Sequence, residues 1–259
     1  MSEQILAEFG RQAANMNTAP AFKEEQTLKR ISQALGPAPV GRVLEIACGP
    51  GIVAEAIAPL VAELVCLDAT PEMLALAEAR LEKSGLTNVT FRQAFAEALP
   101  FGDAEFDVIV TRLSFHHFDD IQAVLGECRR VLRPHGRLVA ADIVSSANGE
   151  ESALHNALEQ LRDPTHVHMF SRPECLAALR AAGFGAILEE SWQQQRSFTE
   201  WAKIVSVPGR TEPLRQVMRV LSRSGLHAGI QLHEAAGDIQ FTHTWLLVTA
   251  QAIVAENNE

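Results

Sequence analysis

Two short stretches of this chain set a glycine turn and a carboxylate at the ends of successive apolar runs: Val43-Leu44-Glu45-Ile46-Ala47-Cys48-Gly49-Pro50-Gly51, and Val65-Cys66-Leu67-Asp68. A strand that runs into glycine lets the backbone approach a ligand closely, because no Cβ stands in the way. An acidic residue at the tip of the next strand can accept hydrogen bonds from a ribose diol. Gly49 and Asp68 lie 19 positions apart, close to the ~20 of one βαβ unit. Residue types and spacing together point to a nucleoside-binding, Rossmann-like domain. The turn alone does not name the nucleoside, since Gly49-x-Gly51-x-x-Ala54 also satisfies the dinucleotide pattern. Glu45 leans away from nicotinamide cofactors. It interrupts a strand that a dinucleotide would want apolar, and a carboxylate on the buried side costs free energy unless paired. It suits donor-rich surroundings, such as loop N–H groups and an amino-acid moiety.

Three further runs follow in order: Ala96-Glu97-Ala98-Leu99-Pro100-Phe101, Phe106-Asp107-Val108-Ile109-Val110, and Leu132-Arg133-Pro134-His135-Gly136-Arg137-Leu138-Val139. With the glycine turn, over roughly residues 40–145, they resemble the class I S-adenosylmethionine (SAM)-dependent methyltransferases. The resemblance is to the group that includes the ubiquinone/menaquinone-biosynthesis (type 11) methyltransferases. One glycine motif is weak; four in the right order are specific. The resemblance implies SAM as cofactor and methyl transfer to a small-molecule acceptor, releasing S-adenosylhomocysteine.

Site residues follow from it position by position. Glu45, Ala47, Gly49 and Gly51 would meet the methionine and ribose portions, and Asp68 the ribose hydroxyls; the alternative for Asp68 is a cap on the helix that starts at Pro71. Ala69 and Met73 would follow, with Met73 on the adenine face; the alternative for Met73 is a core side chain. The loop Ala94-Phe95-Ala96-Glu97 would meet the adenine edge through Phe95 and Ala96, although Phe95 stands where a polar residue is common. Thr111 and Arg112 open the run Thr111-Arg112-Leu113-Ser114-Phe115-His116-His117-Phe118, whose place after a strand faces it toward the transferred methyl. His116 and His117 are the candidate catalytic groups, because imidazole can take a proton near neutrality; the alternative is that they cap the next helix or hydrogen-bond the backbone. The run Arg162-Asp163-Pro164-Thr165-His166-Val167-His168 resembles one in relatives of this type that ends in arginine. It either orders the substrate side or is a turn signal. Phe9 and Ala13 match the group's N-terminal helix, with Met16 near a position often held by tyrosine. Losing Asp68 is expected to weaken cofactor binding while barely changing stability.

Composition sets limits. Net charge is −10, from 22 basic and 32 acidic residues, which disfavours broad binding to nucleic acid or anionic membrane. No apolar run approaches the ~20 residues of a membrane span, and Met1-Ser2-Glu3-Gln4 has no signal-peptide character. A cytoplasmic protein is the expectation, with Cys48, Cys66, Cys128 and Cys175 as buried free thiols. His227, His233 and His243 have no metal spacing, and no metal is expected.

The elements that must carry these residues alternate strand and helix, which implies right-handed crossovers and a parallel sheet. Strands are expected at 42–47, 63–67, 89–92, 107–111 and 138–143, and an antiparallel hairpin near 185–192 and 239–252 closes a seven-stranded, mostly parallel sheet. The chain reads as a single α/β domain over 1–259. Its core would span about 37–145, 183–193 and 238–253, and its helical cap about 1–36, 144–172 and 194–237. Phe170, Trp192, Phe198 and Trp201 in or beside the cap are candidates for an apolar acceptor pocket. Two rival readings are a non-catalytic SAM-binding regulatory domain and an NAD-dependent dehydrogenase. The second would need a nicotinamide pocket and a hydride-transfer constellation, neither of which the sequence offers. Oligomeric state and the acceptor's identity stay open.

Overall fold

Strand β1 (Val40–Ile46) lies at the centre of the sheet, between β2 (Val61–Asp68) and β4 (Phe106–Arg112), parallel to both. A strand buried on both faces needs near-continuous apolar residues, and Val43, Leu44 and Ile46 are fully buried. β3 (Val89–Gln93) pairs outside β2, and β5 (Leu132–Val144) beside β4. β6 (Phe184–Ser197) and β8 (Asp238–Ala252) add the antiparallel pair, giving the order β3-β2-β1-β4-β5-β8-β6. A three-residue strand, β7 (His233–Ala235), pairs with β8 and makes an eighth. The computed structural model describes residues 3–205 and 207–253. Residues 1–2, 206 and 254–259, which the sequence reading assigned to the same domain, lie outside that description.

Helices cover both faces. α1 (Glu3–Thr18) and α2 (Glu25–Ala34) precede the sheet; α3 (Ile52–Ile57), α4 (Pro71–Lys83) and α5 (Ile121–Val131) are crossovers. Pro71 starts α4, where its missing N–H costs nothing, and Asp120 caps α5 by accepting from Ala123 N–H at 3.0 Å. The histidines therefore do not cap it. α6 (Gly149–Arg162), α7 (Arg172–Ala181), α8 (Phe198–Val205) and α9 (Pro208–Ser224) complete the chain. Among the described residues, no helix is long and apolar enough to cross a membrane.

β6 runs past the expected 185–192 to Ser197, while β8 keeps close to its expected 239–252, and the length of the pair has a consequence. Near the chain end, β8 residues Leu246, Val248 and Ala250 pack into one face of the sheet core, and Trp245 and Leu247 into the other. Its first residues, Ile239 and Phe241, belong to a separate apolar cluster with Leu158, Phe198, Trp201 and Met218. The hairpin thus runs out of the sheet core and carries the cap on its far half.

Gly51, at φ 75°, caps α3, and a Cβ there would stand 2.9 Å from Ala77 and Leu81 on α4. This glycine serves close helix packing. Gly51→Ala is expected to cost about 2 kcal/mol or more, adding left-handed strain to overpacking. Chemical denaturation checks it; an unchanged midpoint would show that α4 can retreat freely.

Candidate functional site

The carboxyl ends of β1, β2 and β4 open into a cavity of about 850 Å³, counting its mouth. Its floor is the turn after β1, where Ala47 and Gly49 have positive φ, and a Cβ on Gly49 would meet nothing within 4 Å. Phe9 and Met16 from α1 and Phe22 lie on its wall. α1 is tied down at its far side, where Arg11 donates to the Val205 carbonyl at 2.7 Å and Asn15 to that of Ile204 at 3.3 Å.

Of the expected cofactor residues, Glu45, Ala47, Gly49, Asp68, Ala69, Met73, Ala96 and Arg112 line this cavity. Three do not. Gly51 faces α4 as described. Phe95 is 38% exposed and lies outside the wall. Thr111 is buried behind it, donating to the Ile46 carbonyl at 3.0 Å and bonding the Ser114 hydroxyl. Thr70, Leu113 and Phe118 line the cavity without having been singled out.

Asp68 differs from the expectation in its commitments. One oxygen accepts from Gly49 N–H at 2.8 Å and the other from Thr70 N–H at 2.9 Å. It clamps the glycine turn as well as facing the cavity, so its loss would also unpair two backbone donors. Burial pushes its pKa up, against those hydrogen bonds.

Glu45 and Arg112 are the uncommitted charges. Glu45 is 2% exposed and its Oε2 has no partner among the described residues. Burial drives its pKa up to about 8, against the pull of the Arg112 cation. Arg112 has a buried Nη1 without a partner, and burial lowers its pKa to about 10. Isolated buried charge of this kind is expensive.

The two histidines part company. His116 Nδ1 lies 2.8 Å from Asp142 Oδ1. Burial alone would depress His116, but the Asp142 carboxylate outweighs it and raises the pKa. The same carboxylate accepts from Ile143 N–H at 2.7 Å, Phe115 N–H at 2.9 Å and Ser114 N–H at 3.1 Å. His117 Nδ1 bonds the Thr165 carbonyl at 3.0 Å, which makes Nδ1 the donor and leaves Nε2 a lone pair. Burial, then the neighbouring His116, pull His117 down to about 4, so it is neutral near pH 7. The 162–168 run braces this pair. Val167 and His168 N–H groups donate to the His116 carbonyl at 2.8 and 3.2 Å.

A second cavity, about 640 Å³ with its mouth, adjoins the first and shares Met16, Phe22, Leu113 and His117 with it. His116 lines only this second one. Of the four aromatic candidates, Trp201 lines it, joined by Trp245. Phe198 is in the cap core, Phe170 packs against the sheet core, and Trp192 stacks on Trp245 at 5.6 Å.

Folding also gathers His155, Glu159 and His243, whose candidate ligand atoms lie within 4.8 Å of one another. No sequence spacing announced this set, because β8 supplies one member and α6 the other two. Arg162 stands 2.9 Å from Glu159 Oε2 and a second cation, Arg196, lies nearby. Burial would raise the Glu159 pKa, but Arg162 and His243 hold it well below the usual range. That cationic surrounding opposes a divalent ion.

A family model described as "Methyltransferase domain" matches residues 44–140. The uncharacterized methyltransferase YcgJ of Bacillus subtilis is 32% identical over 204 residues, covering 79% of this chain and 81% of that protein. Its crystal structure superposes with a TM-score of 0.83 over 90% of this chain and 100% of YcgJ, at 28% identity. The demethylmenaquinone methyltransferase of Thermus thermophilus is 34% identical over 181 residues, 62% of this chain and 81% of that protein. The fold, though not close sequence, is shared with a phosphoethanolamine N-methyltransferase of Haemonchus contortus solved with S-adenosyl-L-methionine, at TM-score 0.63 and 18% identity over 89% of this chain and 53% of that one.

Asp142 supplies this site's testable consequence. Asp142→Ala leaves three N–H groups and His116 without their acceptor and is expected to cost about 3–5 kcal/mol, the usual toll of breaking a buried pair. The His116 pKa is raised from 6.5, so its share of that stability is full below 6.5 and fades as pH rises through the folded value. The gap between parent and variant in denaturant titrations should therefore narrow at alkaline pH; a gap that widens would contradict the pairing.

Proposed function

The chain belongs to the SAM-dependent methyltransferases, and from that premise we propose that the first cavity receives SAM and the second the methyl acceptor. The acceptor is a small molecule in this reading, and the whole chain acts as one domain, with α1, α6, α8 and α9 forming the cap. The observation that carries it is the unpaired Glu45–Arg112 couple at the cavity wall. SAM ends in a methionine zwitterion, and its ammonium and carboxylate match a buried carboxyl and a buried guanidinium, neither of which has its full set of partners. Gly49 leaves open space where any other residue would place a Cβ, so the chain fits the group.

When bound, SAM supplies an electrophilic methyl on a sulfonium, already a good leaving group. What remains for the chain is to bind, align and exclude water. Glu45 and Arg112 hold the amino-acid end, and Asp68, beside Ala69 and Met73, takes the nucleoside end. Phe9, Met16 and Phe22 cover the cavity. His117 sits in the wall common to both cavities, with Nε2 free to accept a proton from an acceptor hydroxyl, amine or acidic carbon. Its depressed pKa keeps it neutral and makes it a weak base, in keeping with a reaction that asks little of acid–base catalysis.

Calorimetry with SAM, S-adenosylhomocysteine and NAD tests the assignment. The parent protein should bind the first two and not NAD. Asp68→Asn should weaken S-adenosylhomocysteine by about tenfold, the worth of one charged hydrogen bond. Asp68→Ala should weaken it as well and also melt earlier, because Gly49 and Thr70 N–H lose their acceptor. Unchanged affinity in both variants would remove Asp68 from the site.

A further inference from the structure

We infer that the second cavity selects an acceptor carrying an oxyanion, a carboxylate or a phosphate, and that Arg196 is the group that anchors it. This rests on the reading of the first cavity as the SAM site.

Two arginines and two carboxylates line the second cavity, and three of the four are already engaged. Glu159 is ion-paired to Arg162 at 2.9 Å. Arg162 also donates to the Trp201 carbonyl at 3.4 Å and lies over that indole at 4.7 Å. Asp163 accepts from Thr165 N–H at 2.9 Å, from the Thr165 hydroxyl at 2.6 Å, and from Gln12 at 3.4 Å. Arg196 is different. It is 8% exposed, and among the described residues its side chain makes no hydrogen bond. Its nearest carboxylate is Glu200 at 3.9 Å, on a side chain that is 40% exposed.

The placement of Arg196 follows from strand alternation. Gln194 and Arg196 are two residues apart on β6, and both line the cavity, as do His243 and Trp245 on β8. The face of the hairpin turned to the cavity therefore carries donors just where the strands leave the apolar sheet core. An oxyanion that meets the planar fork of Arg196 gains two hydrogen bonds at once. The same cavity is also lined by Ile143, Met169, Trp201 and Trp245, which suit an apolar body. The cavity that Arg196 lines also reaches the wall of Leu113 and His117 that the two cavities share.

The test uses the full-length protein saturated with S-adenosylhomocysteine, whose own binding is measured first; failure there overturns the cofactor reading and not this one alone. Calorimetry then compares three probes of one shape: 4-hydroxybenzoate, its neutral methyl ester, and phenyl phosphate. At least one anion should bind about tenfold tighter than the ester. A carboxylate-only or a phosphate-only preference names the oxyanion. Arg196→Met should abolish the preference, leave S-adenosylhomocysteine affinity unchanged, and melt at the same temperature or higher, since an uncompensated buried charge is gone. If the methionine variant does not fold, Arg196→Lys, which keeps the charge but loses the fork, should reduce the preference. Equal binding of ester and anions, no binding of either anion, or a preference that survives in the Arg196 variant would overturn the proposal.

Discussion

One carboxylate holds the working end of this molecule together. Asp142, near the end of β5, accepts three backbone N–H groups and the His116 ring. Those bonds fix the loop after β4, which supplies Leu113 and His117 to the wall common to both cavities. The His116 carbonyl in turn receives two N–H groups from the 162–168 run, so the hold passes from the sheet through the loop to the cap. Hydrogen bonds to an ionised acceptor in a dry interior are the strong kind. Burial works against ionisation of Asp142, but His116 and the N–H donors hold its pKa below the ordinary carboxylate value. The clamp is thus intact above pH 3.8 and weakens as pH falls through its lowered pKa.

The neighbouring charges are arranged in the opposite way. Glu45 Oε2 and Arg112 Nη1 are buried atoms without a hydrogen-bond partner among the described residues, and buried Arg196 has only the distant Glu200 carboxylate at 3.9 Å. Folding pays for such groups unless a ligand completes them. Their positions divide the work between two cavities: a carboxyl and a guanidinium at the strand ends of the first, a guanidinium on the hairpin of the second. A protein that committed every polar group internally, as it does at Asp142, would have nothing left with which to recognise a zwitterion or an anion.

Much of the sheet was legible because its signals are local. Apolar runs, the proline at the start of α4 and the glycine turn lie within a few residues of what they determine. The pocket was legible less evenly. Glu45 and Arg112 line the cavity at the ends of β1 and β4, where the strand-end rule and the resemblance put them. Gly51 packs against α4 and does not line the cavity, and a glycine that admits a ligand and one that admits a helix look alike in sequence; only the 2.9 Å approach of α4 separates them. Phe95 and Thr111 were assigned by position in a motif, and the direction of a side chain is not written there. Asp142, Arg196 and the His155–Glu159–His243 group depend on partners dozens of residues away, brought near by β-sheet register and the cap, and no spacing reveals them. Inward polar alternation at Gln194 and Arg196 was the one available hint. β7, three residues long, gave no pattern at all.

The central claim is that Glu45 waits for the cofactor's positive end. The direct measurement is ¹³C NMR of the Glu45 carboxyl, titrated with pH in the free protein and with S-adenosylhomocysteine bound, the resonance assigned through Glu45→Gln. The free protein should titrate near the elevated value of about 8 that burial imposes. The bound protein should titrate at least about one unit lower, because an ammonium beside the carboxylate favours its charged form. A midpoint that does not move on binding, or that rises, would contradict the account.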